Sequence, residues 1–301
     1  MIRIWSCLLC AFSAVSLAQT PKPASSAQNK DVMIVSVAHD GSAAASGIGS
    51  DRSHTVRKVW VDPLAWLTPS GEWKKILCDD NQTEECKKFE REYWKKPHTY
   101  TVVSADGRGA LVKVKKMSLG DCFGYEGEGT FFGNSISFAA VAAESDEFFR
   151  TGQSARRLGE QDATPIRKAL AQVAGNRLDS IKELRVYSVQ LEGQNLIVVQ
   201  RALQDYANRT QFDPHQPNYD PDLSDLKSVF AIGTMKDGHF YPQHEMNIDN
   251  GNELILGTIH MKNGHDFLVT SVNDSESQDF RIYGIRNGKL TLVFSGGGSS
   301  C

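Results

Sequence analysis

From Leu184 onward the chain repeats one pattern: a run of apolar positions, a two-residue turn, and a second run. Leu184–Leu191 and Asn195–Ala202 flank Glu192-Gly193, and Ser228–Met235 and His239–Tyr241 flank Asp237-Gly238. Glu253–Met261 and His265–Val272 flank Asn263-Gly264, and Phe280–Arg286 and Lys289–Phe294 flank Asn287-Gly288. Asn-Gly and Asp-Gly tolerate the positive φ that a tight hairpin turn requires. Leu290, Leu292 and Phe294 alternate with Lys289 and Thr291, the period of a half-buried strand. The pattern predicts an antiparallel meander, propeller-like or barrel-like. Phe230-Ala231-Ile232 before Asp237-Gly238 is echoed by Phe280-Arg281-Ile282 before Asn287-Gly288, a spacing that fits either propeller blades or two like hairpins.

The first half is less regular. Strands are predicted at Met33–Val37, Val56–Val61, Thr99–Val103 and Ala110–Val114. Asp40–Ser53 is rich in Gly, Ser and Ala and reads as a loop. Thr83–Lys96 reads as a helix capped by Thr83, with Cys86, Phe89 and Tyr93 on one face and Pro97 closing it. A second helix is expected at Thr164–Val173, with Thr164 as its cap, Pro165 in its first turn, Gly175 at its end, and Ile166, Leu170 and Val173 on its buried side. The fold expected is mainly β and antiparallel, with two or three short helices.

The beginning of the chain sets the compartment. Arg3 followed by an apolar run to Leu17 and then Ala18 reads as a signal peptide, residues 1–18, cleaved before Gln19. Residues 19–32 form a flexible lead-in, 33–143 a β-rich region with one helix and a local disulfide, and 144–301 a helix followed by the meander. The protein is therefore expected outside the cytoplasm, periplasmic or extracellular. Cys78, Cys86, Cys122 and Cys301 remain after cleavage, and an even number suits two disulfides. Cys78–Cys86 is the local pairing. Cys122–Cys301 would then tie down a Gly/Ser tail that otherwise frays.

Composition narrows the partners. The 301 residues carry a formal net charge of −3, with lysine pairs interleaved among acids and no basic stripe of the kind nucleic acid requires. No second apolar run reaches the length of a membrane helix. The partner is otherwise open, with a protein or glycan at the cell surface as one candidate.

Candidate chemistry is sparse. His239, His244, His260 and His265 fall in pairs five apart, which puts strand side chains on opposite faces and fits polar strand ends better than one metal. His244-Glu245 lacks the second histidine of a zincin motif, since Ile248 stands there, and Gly133–Ser137 lacks the last glycine of a nucleophile elbow. Asn247, Asp249 and Glu253 around Gly251 resemble a calcium loop in composition, with a polar hairpin connection as the simpler reading. No other cofactor is implied. Glu126 and Glu128, two apart among glycines, are the carboxylate pair a glycosidase would use, although they lack an opposing wall. Trp60, Trp66, Trp73 and Trp94 stack on sugars if exposed and fill the core if not. The expectation is an exported, non-enzymatic binding or structural protein. A secreted carbohydrate hydrolase resting on Glu126 and Glu128 is the alternative.

Overall fold

The computed structural model describes residues 30–39, 57–76, 84–104, 110–119, 125–132, 139–150, 155–175, 178, 184–201, 228–248, 252–273 and 277–300. The signal-like segment, the Asp40–Ser53 loop, Gly133–Ser137, Cys78, Cys122 and Cys301 lie outside these residues.

The molecule is mainly β and antiparallel throughout. Its first half is built from β1 (Val32–His39), β2 (Arg57–Leu67), β3 (Trp73–Lys74), the short helix α1 (Glu84–Phe89) running into a π-helical turn (Glu90–Trp94), β4 (His98–Val102), β5 (Leu111–Leu119), β6 (Tyr125–Phe132) and β7 (Ala139–Ala143). The strand order β1-β7-β4-β5-β6-β2 closes on itself because β1 also pairs with β2, with Val37 opposite Val61. The result is a six-stranded barrel with β3 appended to β2. The meander after Leu184, expected as propeller-like or barrel-like, forms two antiparallel sheets, and the closed barrel lies here instead. Closure depends on β1 meeting both β2 and β7, pairings that local pattern does not carry.

Inward alternation fills the barrel with Val35, Val37, Val59, Val61, Val112 and Phe131. The interior is narrow enough that β6, which sends Phe131 inward, has no room for a side chain at Gly127 or Gly129 on the same inner face. A Cβ at Gly129 would lie 2.9 Å from methyl carbons of both Val61 and Val112. This accounts for the glycines alternating with Glu126 and Glu128.

After β8 (Arg156–Arg157) comes α2 (Glu160–Ala174), then β9 (Arg185–Leu191), β10 (Gln194–Arg201), β11 (Val229–Lys236), β12 (His239–Pro242) and β13 (Asn247–Ile248). These strands form a sheet ordered β12-β11-β10-β9-β8, with β13 on β11. A separate four-stranded sheet runs in simple order through β14 (Asn252–His260), β15 (Asp266–Asn273), β16 (Ser277–Arg286) and β17 (Lys289–Ser300). The hairpin turns fall where expected, with Glu192, Asp237 and Asn287 at φ of 47°, 49° and 51°. The two look-alike hairpins belong to different sheets. Phe230 faces the four-stranded sheet, whereas Phe280 faces the barrel side of that sheet.

The layers stack in a fixed sequence. One face of the four-stranded sheet, with Ile259, Phe267, Val269, Phe280 and Ile282, packs on the outer wall of the barrel. Its other face, with Leu268, Tyr283 and Leu290, packs on the β8–β13 sheet through Val198 and Ile232. That sheet is covered in turn by Ile166, Ala169 and Leu170 of α2. The strands of the middle layer are buried on both faces, which explains the unbroken apolar run Phe267-Leu268-Val269.

Two local expectations are corrected. The second helix begins one turn early, because Gly159 supplies the extended cap residue and Ala163 N–H donates to its carbonyl at 2.9 Å. Thr164 is therefore inside the helix, its hydroxyl donating back to the Glu160 carbonyl at 2.8 Å. Val173 is exposed rather than buried. The glycine tail is held by backbone pairing: Gly296–Ser300 continues β17 alongside β16 and packs against β2, where a Cβ at Gly297 would fall 2.0 Å from the Leu64 carbonyl oxygen.

Candidate functional site

The outer wall of the barrel has two unlike faces. One is sealed by the four-stranded sheet. The other, made by β5, β6 and the first half of β2, faces solvent. Strand alternation determines what it presents: Val59 and Val61 point inward, so Trp60 points out and is 41% exposed. Directly across the ladder stands Glu128, also exposed, in register with Trp60. On β5, Val112 and Val114 point inward, and Lys113 and Lys115 outward with Lys116 beyond them. The Lys113 ammonium lies 5.1 Å from the centroid of the Phe132 ring. Leu111 is opposite Phe132 at the end of this face. The patch thus combines a flat exposed indole, a carboxylate acceptor beside it, and ammonium donors one strand further on. Such a surface can stack against the apolar face of a sugar ring and bond its hydroxyls.

The other tryptophans are used differently. Trp66 packs edge-on against Tyr93 at 4.9 Å, and Trp73 lies against Phe267 and Phe294 at 5.4 and 6.1 Å. The side chains of Trp94, Glu126, Asn247 and Asp249 lie outside the description. Glu253, the third residue of the calcium loop expected from composition, is buried in the four-stranded sheet. Its carboxylate accepts from Thr270 at 2.7 Å and Tyr283 at 2.8 Å, and pairs with Arg281 at 2.9 Å. Burial, and then the Glu253 charge, hold the Tyr283 phenol well above its usual range.

The four histidines do not converge. His239 sits on the edge strand β12 beside Tyr241, and His244 lies edge-on to Tyr283 at 5.0 Å. His260 and His265 flank one hairpin and join a single polar cluster around Asp266. Asp266 Oδ1 is 3.0 Å from His260 Nδ1 and also takes the Arg150 guanidinium. Its Oδ2 accepts from the Glu192 N–H at 2.7 Å, while His265 lies 3.4 Å from the Glu192 carboxylate. On the far side of the imidazole, Thr258 Oγ1 is 3.1 Å from His260 Nε2. A hydroxyl, an imidazole and a carboxylate in line are the parts of a proton relay. All three are buried, however, and the Glu192 bond links the β9–β10 turn to the β14–β15 hairpin. The cluster is a tie between two sheets. Both histidines stand out in the sequence; Asp266 reaches His260 through the β14–β15 register, and Thr258 reaches it as the residue two positions back on the same face of β14.

Among the described residues no cluster of three or more His, Cys, Asp or Glu could hold a metal, and no helix is long and apolar enough to cross a membrane. Cys86 is disulfide-bonded. No family model, curated protein or solved structure matches the chain.

Proposed function

We propose that this protein is an exported, non-enzymatic binding module whose ligand is a carbohydrate chain lying across the solvent-facing wall of the barrel. The observation that carries this reading is Trp60. An indole costs much to leave in water, and here it is exposed mid-strand beside the carboxylate of Glu128, with the lysines of β5 nearby. Buried bonding groups engaged within the protein cannot meet a ligand, whereas these are exposed on one face. Export is supported by the Arg3-to-Ala18 leader and by a disulfide at Cys86, since such bonds persist in oxidising compartments. Cys78 is the partner we assign to Cys86, with Cys122 bonded to Cys301.

The convex wall favours binding over cleavage. A glycosidase needs a second carboxylate facing the first across a cleft, at about 5 Å or more. Titration of the folded protein against a panel of neutral and acidic oligosaccharides tests the proposal. At least one should bind, and Trp60→Ala should abolish that binding while leaving the melting temperature in place. Equal binding by Trp60→Ala, or turnover of a chromogenic glycoside lost in Glu128→Gln, would overturn it.

A further inference from the structure

One end of the barrel gathers hydrogen-bond acceptors that have too few donors. The π-helical turn lies over this end, with its extra residue marked by the Lys95 N–H bonding to the Glu90 carbonyl at 3.1 Å. π-Helical turns recur at functional sites. Tyr93 projects from the turn, His98 and Tyr100 from the start of β4, and Glu144 from just after β7. The β4–β7 pairing of Thr101 with Ala143 brings these strand ends side by side.

The hydrogen-bond bookkeeping here is incomplete. His98 Nε2 lies 2.8 Å from the Glu92 carbonyl oxygen, which can only accept, so the ring proton is on Nε2. In the neutral ring Nδ1 is then a bare lone pair. It faces Glu144 Oε1 across 3.9 Å, one acceptor opposite another. Among the described residues, Glu144 Oε2 receives only a long bond of 3.4 Å from the Tyr93 hydroxyl. The Tyr100 hydroxyl, fully buried, has no hydrogen-bond partner among the described residues. It lies within reach of the same charge: burial first, then Glu144, hold the Tyr100 phenol above its usual range, and Tyr93 responds the same way. Trp66 packs edge-on against Tyr93 and helps enclose the group. The Glu144 and His98 side chains keep 24% and 16% of their exposure, so the site opens to solvent on that side.

We propose that this barrel mouth binds a primary ammonium group, whose three N–H donors go to the Glu144 carboxylate, Nδ1 of His98 and the Tyr100 hydroxyl oxygen. A water molecule brings two donors and no charge. An ammonium brings three and neutralises the carboxylate, the combination a partly desolvated anion requires. The group can come from a small free amine or from a lysine side chain on another protein.

Calorimetry on the folded chain with n-butylammonium tests this, beside n-butanol, tetramethylammonium and a short peptide with one lysine. Saturable binding is expected for n-butylammonium and not for n-butanol or tetramethylammonium, which lack the charge or the donors. Binding by the peptide as well would identify protein lysines as a source; binding by the free amine alone would point to a small metabolite. Glu144→Gln should weaken binding on the order of tenfold or more, and Tyr100→Phe several-fold. If Glu144→Gln fails to fold, Tyr100→Phe carries the test, since it removes one oxygen and keeps the packing. No saturation by any amine, equal binding of n-butanol, or full affinity in a folded Tyr100→Phe would each overturn the proposal. None of these outcomes depends on whether the outer wall binds a glycan.

Discussion

The two outer faces of the barrel are made by neighbouring strands of the same closed sheet, yet they carry opposite chemistry. Toward the four-stranded sheet the barrel shows Val32, Ile34, Leu67, Val141 and Ala143, all buried. Toward solvent it shows Trp60, Lys113, Lys115 and Glu128. Strand β2 contributes to both. Its first half has valines inside and Trp60 outside. Past Pro63 the register with β1 shifts, and Leu64 and Leu67 pack outward against the second sheet. A bulge shifts side-chain direction by one place, so a single strand serves two environments. The difference teaches that Trp60 is exposed because of where the second sheet stops, and that the side chains of the bare face are not required for packing.

The largest test is on the covered face. Phe280→Ala removes a ring buried between the sheet and the barrel and should cost about 3–5 kcal/mol in urea unfolding. A loss below about 1 kcal/mol would show that the two layers barely depend on each other. Gly297→Ala comes next, at about 2–3 kcal/mol, because its Cβ would meet the Leu64 backbone at a φ of 79°. An unchanged unfolding midpoint would mean that β17 does not clasp the barrel.

Alkaline titration gives a smaller effect that isolates the interior. The folded pKa of Tyr93, Tyr100 and Tyr283 lies above the unfolded value. The folded state thus holds these protons more tightly. Their contribution is complete below about pH 10 and is lost as pH rises from there toward the folded values. Stability should fall across that window. Absorbance near the phenolate band should show these tyrosines ionising late, only as the protein unfolds. Replacing Tyr283 by Phe should flatten the slope. Smallest of all, Lys115→Ala on the bare face should move stability by no more than about 0.5 kcal/mol. A larger loss would mean that this wall is covered in the native protein.

Much of this architecture was legible in the sequence, and what was hidden has a common cause. The hairpins at Asp237-Gly238 and Asn287-Gly288 were readable because turn chemistry is local. Barrel closure was not, since it rests on β1 pairing with two distant strands. Thr164 looked like a cap because it precedes Pro165, but the acidic residues Glu160 and Asp162 and the extended Gly159 start the helix a turn earlier. Of the candidate surface, Glu128 and Trp60 both stand out in the sequence, but for different reasons. Their pairing follows from the β2–β6 register, and the exposure of Trp60 from the limits of a sheet encoded far downstream. Glu253 resembles a loop ligand in the sequence because its neighbours Asn247 and Asp249 are polar. Its actual partners, Thr270, Arg281 and Tyr283, come from the next two strands.

The clasp of β17 over Leu64 has a consequence for how the chain folds. Most of the sequence separates the two, whereas the strands of each hairpin are near neighbours. Hairpins form from local contacts, and pairing across long separations is slow. During synthesis the strands of the barrel emerge first, and the apolar wall of Val32, Ile34, Leu67 and Val141 has nothing to cover it until β15, β16 and β17 have been made. For that interval a sticky surface is open to other nascent chains. Refolding yield should therefore fall steeply with protein concentration, and a peptide spanning β15–β17 added in trans should protect the young barrel from aggregation.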